Sequence, residues 1–170
     1  MITALIPARC GSKGLPNKNI QMLGNKNLVN HAIDAARSAG CFDEIIVSTD
    51  IPTTISEVSN AKDLSLHIRP PTLAEDNTPM VDVVRHVIER FNMGMDDWIW
   101  LLQPTSPFRI KSDFTAIQLL VGMKKARSCI SVSKCPHPMR MYTERQGYLF
   151  PISRTNFKNR QALPPAWWRN

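Results

Sequence analysis

The chain has 170 residues, of which 43% are hydrophobic and 21% charged, and this composition predicts a globular domain with a proper core. Its apolar runs are short and no basic segment precedes a hydrophobic stretch at the amino end, so we expect neither a membrane span nor a secretory signal. The net charge of +7 favours an anionic partner, such as a phosphorylated metabolite, a nucleic acid or a membrane surface. The 4 cysteines lack C-x-x-C spacing, which is typical of reduced thiols in a cytoplasmic protein.

Strand and helix patterns alternate through the first half of the chain. Apolar and β-branched runs predict strands, and apolar residues at helical spacing predict helices. In chain order, the patterns predict a buried strand at 2–7, a helix at 28–39, a strand at 45–47, a short helix after Asp50 and a strand at 64–68. Gly40 is typical of a helix end.

The alternation continues through the second half. Thr78 followed by Pro79 predicts a helix start, with the threonine as the capping residue and the proline in the first turn. The predicted apolar stripe of that helix consists of Val81, Val84, Ile88 and Phe91. A buried strand at 98–102, a helix from Ser112 to about Lys124 and a strand at 129–133 complete the series.

This order of elements predicts an α/β fold. Alternating strands and helices form a doubly wound, mainly parallel sheet with helices on both faces and right-handed crossovers. The ligand crevice of such a sheet lies at the carboxyl ends of the strands. We therefore expect the chemistry in the loops that follow Pro7, Val47, Ile68 and Leu102.

The pattern changes after residue 136. Prolines interrupt the remaining sequence, and Gly147 predicts a turn between two strands. We therefore divide the chain into an α/β core at 1–136 and a hairpin-bearing excursion at 137–170.

The loop after the first strand has the composition of an anion site. Its glycines allow backbone N–H groups to approach an anion, and its basic residues neutralise charge. The residues concerned are Arg9, Gly11, Ser12, Lys13, Gly14 and Lys18. Neither the P-loop pattern nor G-x-G-x-x-G is present, so composition alone leaves phosphate binding and a plain basic turn both open.

The segment IPARCGSKGLPNKN at 6–19 resembles the signature of the CMP-sialic acid synthetases, the acylneuraminate cytidylyltransferases. Further segments resemble family motifs in the same order. They are FDEIIVSTD at 42–50, RP at 69–70, LAED at 73–76, LLQPTSP at 101–107, RQALP at 160–164 and RN at 169–170. Cys10 stands where the family usually has glycine. The resemblance implies a Rossmann-like, nucleotide-sugar transferase type of fold.

The resemblance also implies a reaction. CTP and a nonulosonic acid such as N-acylneuraminate give the CMP-sugar and pyrophosphate, with Mg²⁺ as cofactor. Arg9, Ser12 and Lys18 are expected to contact the triphosphate, and Lys18 and Arg9 to act in catalysis. A buried ammonium beside the reacting phosphate suits this role, since charge develops there.

The remaining site residues follow from the same resemblance. Asn19 and Arg69 are expected to read the base and ribose, because amide and guanidinium donors suit the cytosine acceptors. Gln103 is expected to bind the sugar, and Arg160 to offer a cation to the sugar carboxylate or the nascent phosphate. From the residues alone, Lys18 as a solvated loop lysine and Arg69 as a turn residue before Pro70 stay open.

The expected partners are CTP, a nonulosonic acid and a second copy of the chain that pairs through the excursion. The family's Asp-x-Asp, which holds magnesium, has no counterpart within the chain, so a truncated, catalytically deficient CTP-binding module is the alternative. We expect no nucleic-acid partner and no membrane partner. The sequence does not choose among nonulosonic acids, because pocket shape reads their acyl groups.

Overall fold

The computed structural model describes residues 1–12, 14–124, 128–134, 142–145, 148–151 and 167–169. The chain forms two compact units, Met1–Leu120 and Val121–Asn170. Among the described residues, no helix has the length and apolar character needed to cross a membrane.

The first unit alternates strands and helices as predicted. Its strands are β1 (Ile2–Ala8), β2 (Met22–Leu23), β3 (Lys26–Asn27), β4 (Glu44–Thr49), β5 (Ser65–Ile68) and β6 (Trp98–Leu101). Its helices are α1 (Leu28–Ala39), α2 (Pro52–Ser59), α3 (Met80–Arg90) and α4 (Lys111–Lys124), which begins in this unit. Short 3-10 helices lie at Lys18–Ile20 and Pro71–Leu73.

Four of these strands form one parallel sheet with the order β5-β4-β1-β6. From β1 the chain moves outward through β4 to β5 and then returns to place β6 on the other side of β1. The order therefore reverses beside β1, and a crevice opens outside the strand ends at such a switch point. The short strands β2 and β3 pair antiparallel apart from this sheet.

The two faces of the sheet bury different residues of β1, because successive side chains of a strand point to opposite sides. Ala4, Ile6 and Ala8 belong to a core that also contains buried residues of α1, α2 and α4. Leu5 belongs to a second core with Ile46 and with residues of α3. The predicted doubly wound sheet with helices on both faces is thereby confirmed.

Helix α1 begins and ends with local signals. The side chain of Asn27 accepts a hydrogen bond from the backbone N–H of Asn30 at 2.8 Å, which satisfies a donor of the first turn. Gly40 ends the helix with φ of 66°, a left-handed conformation that favours glycine. The predicted helix end at Gly40 is confirmed.

Helix α3 corrects two predictions. The helix begins at Met80 with Pro79 at the N-cap position, so Thr78 lies one residue too early to cap it, and its hydroxyl donates to the carbonyl oxygen of Thr72 at 3.2 Å. The buried residues of the helix are Val83 and Val87. The predicted stripe members Val81 and Ile88 are 58% and 37% exposed. The other predicted members, Val84 and Phe91, are half-buried against the second core, as predicted. The buried face of the helix is therefore shifted relative to the predicted stripe, because the phase of a helix depends on the sheet that it covers.

The described strands of the second unit form two antiparallel pairs. β7 (Val132–Lys134) pairs with β10 (Trp167–Arg169), and β8 (Tyr142–Arg145) pairs with β9 (Tyr148–Pro151). The predicted strand at 129–133 therefore starts later, at Val132, and among the described residues it pairs with β10. The predicted turn residue Gly147 lies outside the described residues.

Candidate functional site

A cleft of about 440 Å³ opens at the carboxyl ends of the parallel strands, within the range typical of ligand sites. Every predicted site residue except Arg160 lines this cleft: Arg9, Ser12, Lys18, Asn19, Arg69 and Gln103. Arg160 lies outside the residues that the structure describes. The cleft lies at the switch point beside β1, where the fold places ligands.

Three strand ends and one 3-10 helix supply five of these side chains, and Ser12 lies in the loop between β1 and that 3-10 helix. Arg9 follows β1, Arg69 follows β5, and Gln103 lies just beyond β6. Lys18 and Asn19 belong to the 3-10 helix that closes the loop after β1. Residues far apart in the sequence meet here because parallel strands end at the same edge of the sheet.

Arg9 is held by the loop itself. Its guanidinium donates to the carbonyl oxygens of Cys10 at 3.2 Å, Gly11 at 3.0 Å and Ala74 at 3.5 Å. It also pairs with the carboxylate of Asp76, which lies in the same cleft. Arg9 therefore links the loop after β1 to the segment after β5, and an anionic ligand would compete with Asp76 for its guanidinium.

Lys18 lines the same cleft. It is half-buried, and within the described ranges its ammonium makes no ion pair and no hydrogen bond. The 3-10 helix holds its backbone, since Lys18 N donates to Leu15 O at 3.2 Å and Gln21 N donates to Lys18 O at 3.1 Å. The lysine therefore presents an ammonium at the cleft from a fixed backbone.

Asn19 is buried and is already engaged. Its Nδ2 donates to the carbonyl oxygen of Arg9 at 2.9 Å, which joins the 3-10 helix to the end of β1. Its Nδ2 is therefore engaged by the loop, whereas its Oδ1 can accept a hydrogen bond.

Arg69 is 4% exposed and is anchored along one edge of its guanidinium. Its Nε donates to the hydroxyl of Ser48 at 3.2 Å, and its Nη2 donates to the carbonyl oxygen of Ser48 at 3.0 Å. Among the hydrogen bonds of the described residues, none uses Nη1, so this nitrogen can serve a ligand. Burial lowers the pKa of Arg69, Asp50 opposes that shift, and Arg9 adds to it.

Gln103 begins the loop after β6, and a second arginine braces that loop. The guanidinium of Arg109 donates to the carbonyl oxygens of Ser106 at 2.8 Å and Gln103 at 3.1 Å. Burial lowers the pKa of Arg109, and Asp113 opposes that shift. The backbone of Gln103 is thus fixed, while its exposed side chain faces the cleft.

Three further residues, which were not among the predicted site residues, shape the site. Ser48 and Arg109 hold Arg69 and the Gln103 loop, and Asp50 accepts a hydrogen bond from the backbone N–H of Cys10 at 2.7 Å. The signals for Ser48 and Asp50 were their position after a predicted strand at the ligand edge and their place in the FDEIIVSTD motif. Arg109 had no such signal, because its hydrogen bonds depend on how the loop folds back.

The described residues do not fit a metal site of protein ligands. Within the described ranges, no group of three or more His, Cys, Asp or Glu side chains could hold an ion. The carboxylates nearest the loop, those of Asp50 and Asp76, bind Cys10 N and Arg9. The described lining of the cleft carries the cations of Arg9, Lys18 and Arg69 and the carboxylate of Asp76.

A second cleft of about 340 Å³ lies between α1 and α2 and has a different character. Its rim carries the ion pair between Lys26 and Asp34, and its Arg37 binds Asp63 at 2.6 and 2.8 Å. Lys26, Asp34 and Arg37 are thus paired within the protein, and the cleft contains none of the predicted site residues.

Comparison with known proteins identifies relatives of this chain. The family model described as cytidylyltransferase matches residues 3–129. The CMP-N,N'-diacetyllegionaminic acid synthase of Legionella pneumophila is 39% identical over 136 residues, which cover 78% of this chain and 57% of that protein. The N-acylneuraminate cytidylyltransferase of Streptococcus agalactiae serotype V is 38% identical over 171 residues, which cover 98% of this chain and 41% of that protein.

A solved structure supports the fold. The structure of a CMP:2-keto-3-deoxy-manno-octonic acid synthetase complexed with CTP has a TM-score of 0.57 and 24% sequence identity, and the match covers 78% of this chain and 51% of that one. This chain spans between 41% and 57% of the length of the two sequence relatives. Since the family model matches most of the residues, the chain belongs to the cytidylyltransferase family.

Proposed function

We propose that the chain binds CTP in the cleft at the strand ends and forms a CMP-sugar from a sialic-acid-like nonulosonic acid, with release of pyrophosphate. One observation carries the proposal. Residues that the sequence assigned to triphosphate, nucleoside and sugar line one cleft at the ligand edge of the sheet. The names of the Legionella and Streptococcus relatives, a CMP-legionaminic acid synthase and an N-acylneuraminate cytidylyltransferase, support the substrate class.

The phosphate end of the cleft is proposed to compensate charge. In the reaction, the anomeric oxygen of the sugar forms a bond to the α-phosphorus, the bond to the bridging oxygen breaks, and the hydroxyl proton is released. Negative charge grows on the departing pyrophosphate, and Lys18, whose ammonium makes no ion pair with a described residue, is suited to offset it. Arg9 would contribute by exchanging Asp76 for a phosphate oxygen, and Ser12 by donating its hydroxyl.

The nucleoside end is proposed to read cytidine. Arg69 offers Nη1, and its other nitrogens are fixed on Ser48, so the guanidinium is oriented before the ligand arrives. Asn19 retains an amide acceptor while its Nδ2 holds the loop. Burial strengthens each hydrogen bond to the nucleotide, because the local dielectric constant is lower than that of water.

Gln103 is proposed to bind the sugar through its amide, which can pair with hydroxyl or acyl groups. Arg160 is proposed to bind the sugar carboxylate as a cation. We also propose that the excursion at 137–170 contributes to the sugar site and to a homodimer, and that the protein is cytoplasmic. Mg²⁺ is proposed to bind the triphosphate, because magnesium binds substrate phosphates readily. No residue of this chain is assigned as its ligand.

Base selectivity tests the proposal. Calorimetric titration should show CTP binding tighter than ATP or GTP by about 100-fold or more, because a wrong base leaves buried donors unpaired. Arg69→Lys should reduce that ratio, since lysine lacks the planar fork. Arg37→Lys is the matched control, because Arg37 lies in the second cleft, and it should leave the ratio unchanged.

Two results would contradict the proposal: equal affinity for CTP and ATP, or no binding of CTP. Pyrophosphate release with CTP, Mg²⁺ and N-acetylneuraminate separates the two forms of the proposal. Selective CTP binding without any release would favour the catalytically deficient CTP-binding module, whereas release would establish the transferase.

A further inference from the structure

A chain of buried polar groups runs from the cleft into the sheet behind it. Ser48 and His67 lie opposite each other in the register of β4 and β5, and the hydroxyl of Ser48 is 2.9 Å from Nδ1 of His67. The other ring nitrogen of His67, Nε2, is 2.8 Å from Nδ1 of His86 on α3. Ser48 and His67 are 0% and 2% exposed, so each polar atom here needs a partner.

Chemistry fixes the direction of these hydrogen bonds. Arginine only donates, so the hydroxyl oxygen of Ser48 accepts from Nε of Arg69. The hydroxyl proton then has one acceptor among the described residues, which is a bare Nδ1 of His67. With Nδ1 bare, the proton of neutral His67 is on Nε2, which donates to His86. All three bonds therefore point the same way, from Arg69 through Ser48 and His67 to His86.

The opposite tautomer would leave a group unsatisfied. If Nδ1 of His67 carried the proton, the oxygen of Ser48 would receive two donors and its own buried hydroxyl proton would lose its acceptor. An unpaired buried donor is costly, so the first arrangement is favoured. Burial, followed by the charges of His86, Arg69 and Arg90, lowers the pKa of His67 to about 4, which keeps the ring neutral near pH 7.

We propose that His67 is a positioning residue for nucleotide recognition: it orients the hydroxyl of Ser48 and thereby holds Arg69 with Nη1 toward the nucleoside. His67 does not line the cleft and acts only through Ser48 and Arg69. The inference rests on the proposed function, in which Arg69 reads the nucleoside and Lys18 and Arg9 bind phosphate.

The test compares CTP with inorganic tripolyphosphate, which has the phosphates but no nucleoside. His67→Leu removes the acceptor of the Ser48 hydroxyl, so the residue that anchors Arg69 loses a hydrogen bond. CTP binding should therefore weaken by about 10-fold or more. The substitution should leave tripolyphosphate binding unchanged. His67→Asn places an amide oxygen where Nδ1 lies and should restore most of the CTP affinity.

Ser48→Ala is the second variant and should weaken CTP binding to a similar degree. The double variant Ser48→Ala with His67→Leu should be no weaker than either single variant, since His67 acts through Ser48. Val58→Ala is the control, because this buried residue of α2 packs in the other core and its loss destabilises the fold without touching the chain of hydrogen bonds.

The outcomes separate the two proposals. Absence of CTP binding in the unchanged protein would overturn the proposed function. A folded His67→Leu variant that binds CTP as tightly as the unchanged protein, or a folded His67→Asn variant that binds CTP as weakly as His67→Leu, would overturn the positioning role. If His67→Leu does not fold, the test uses Ser48→Ala and His67→Asn instead. A loss of CTP affinity for His67→Asn as large as that for Ser48→Ala would contradict the positioning role, and so would losses that add when the two substitutions are combined.

Discussion

Lys18 presents its ammonium at the cleft from a backbone held by the 3-10 helix Lys18–Ile20. We expect Lys18→Ala to lower the rate of pyrophosphate release by at least about 100-fold, the scale of losing one preorganised charge donor. The assay uses CTP, Mg²⁺ and N-acetylneuraminate, and circular dichroism checks that the variant is folded.

Lys62→Ala is the matched control for that loss of charge. Lys62 is exposed and lies between α2 and β5, away from the carboxyl ends of the strands. Both variants remove one positive charge from the molecule, so an effect of net charge alone would appear in both. A folded Lys18→Ala variant with the turnover of the Lys62→Ala variant would remove Lys18 from the catalytic site.

At the scale of a helix, the same substitution should have opposite effects at two glycines. Gly40 ends α1 with φ of 66°, whereas Gly122 lies within α4 without a positive φ. A Cβ at either position would meet open space, so backbone conformation alone decides the effect. Gly40→Ala should lower the free energy of unfolding by about 1 kcal/mol, because left-handed backbone strains an L-residue.

Gly122→Ala should instead raise helix stability by up to about 1 kcal/mol, because alanine loses less backbone entropy in a helix. Urea unfolding monitored by circular dichroism measures both variants against the unchanged protein. Destabilisation of equal size by both substitutions would show that side-chain contacts, rather than backbone conformation, control these positions.

At the scale of the whole molecule, one buried histidine should make stability depend on pH. Burial is the largest cause that lowers the pKa of His67 from its ordinary 6.5 to about 4. Between these values the unfolded chain binds a proton that the folded chain does not, so stability is present above about pH 6.5 and is lost as the pH falls toward 4. The loss from this group is about 3 kcal/mol over that interval.

Urea unfolding across that interval measures the effect, and His67→Asn should flatten the slope because asparagine does not titrate. Carboxylates add their own dependence at lower pH. The hydrogen bond from Arg37 lowers the pKa of Asp63 from 3.8, so its contribution is lost only as the pH falls through values below that one. An equal slope in the folded His67→Asn variant would show that other groups control the acid sensitivity.

The sequence by itself determined the order of elements in the first unit and the edge at which the site lies. Apolar runs predicted β1, β4 and β6, as is typical of strands in a sheet with helices on both faces, and an alternating pattern predicted β5. The carboxyl ends of parallel strands share one edge, so Arg9, Arg69 and Gln103 could be expected together before their contacts were seen. The helix end at Gly40 was also predictable, because left-handed backbone demands glycine locally.

Only the tertiary structure decided what each side chain does within that frame. The phase of α3, the partner of β7 and the anchoring of Arg69 on Ser48 depend on residues distant in sequence. Asn19 spends its amide on the loop, and Thr78 bonds to Thr72 instead of capping a helix. Hydrogen bonds require distances near 3 Å, and the positions that meet this requirement exist only once the chain has packed.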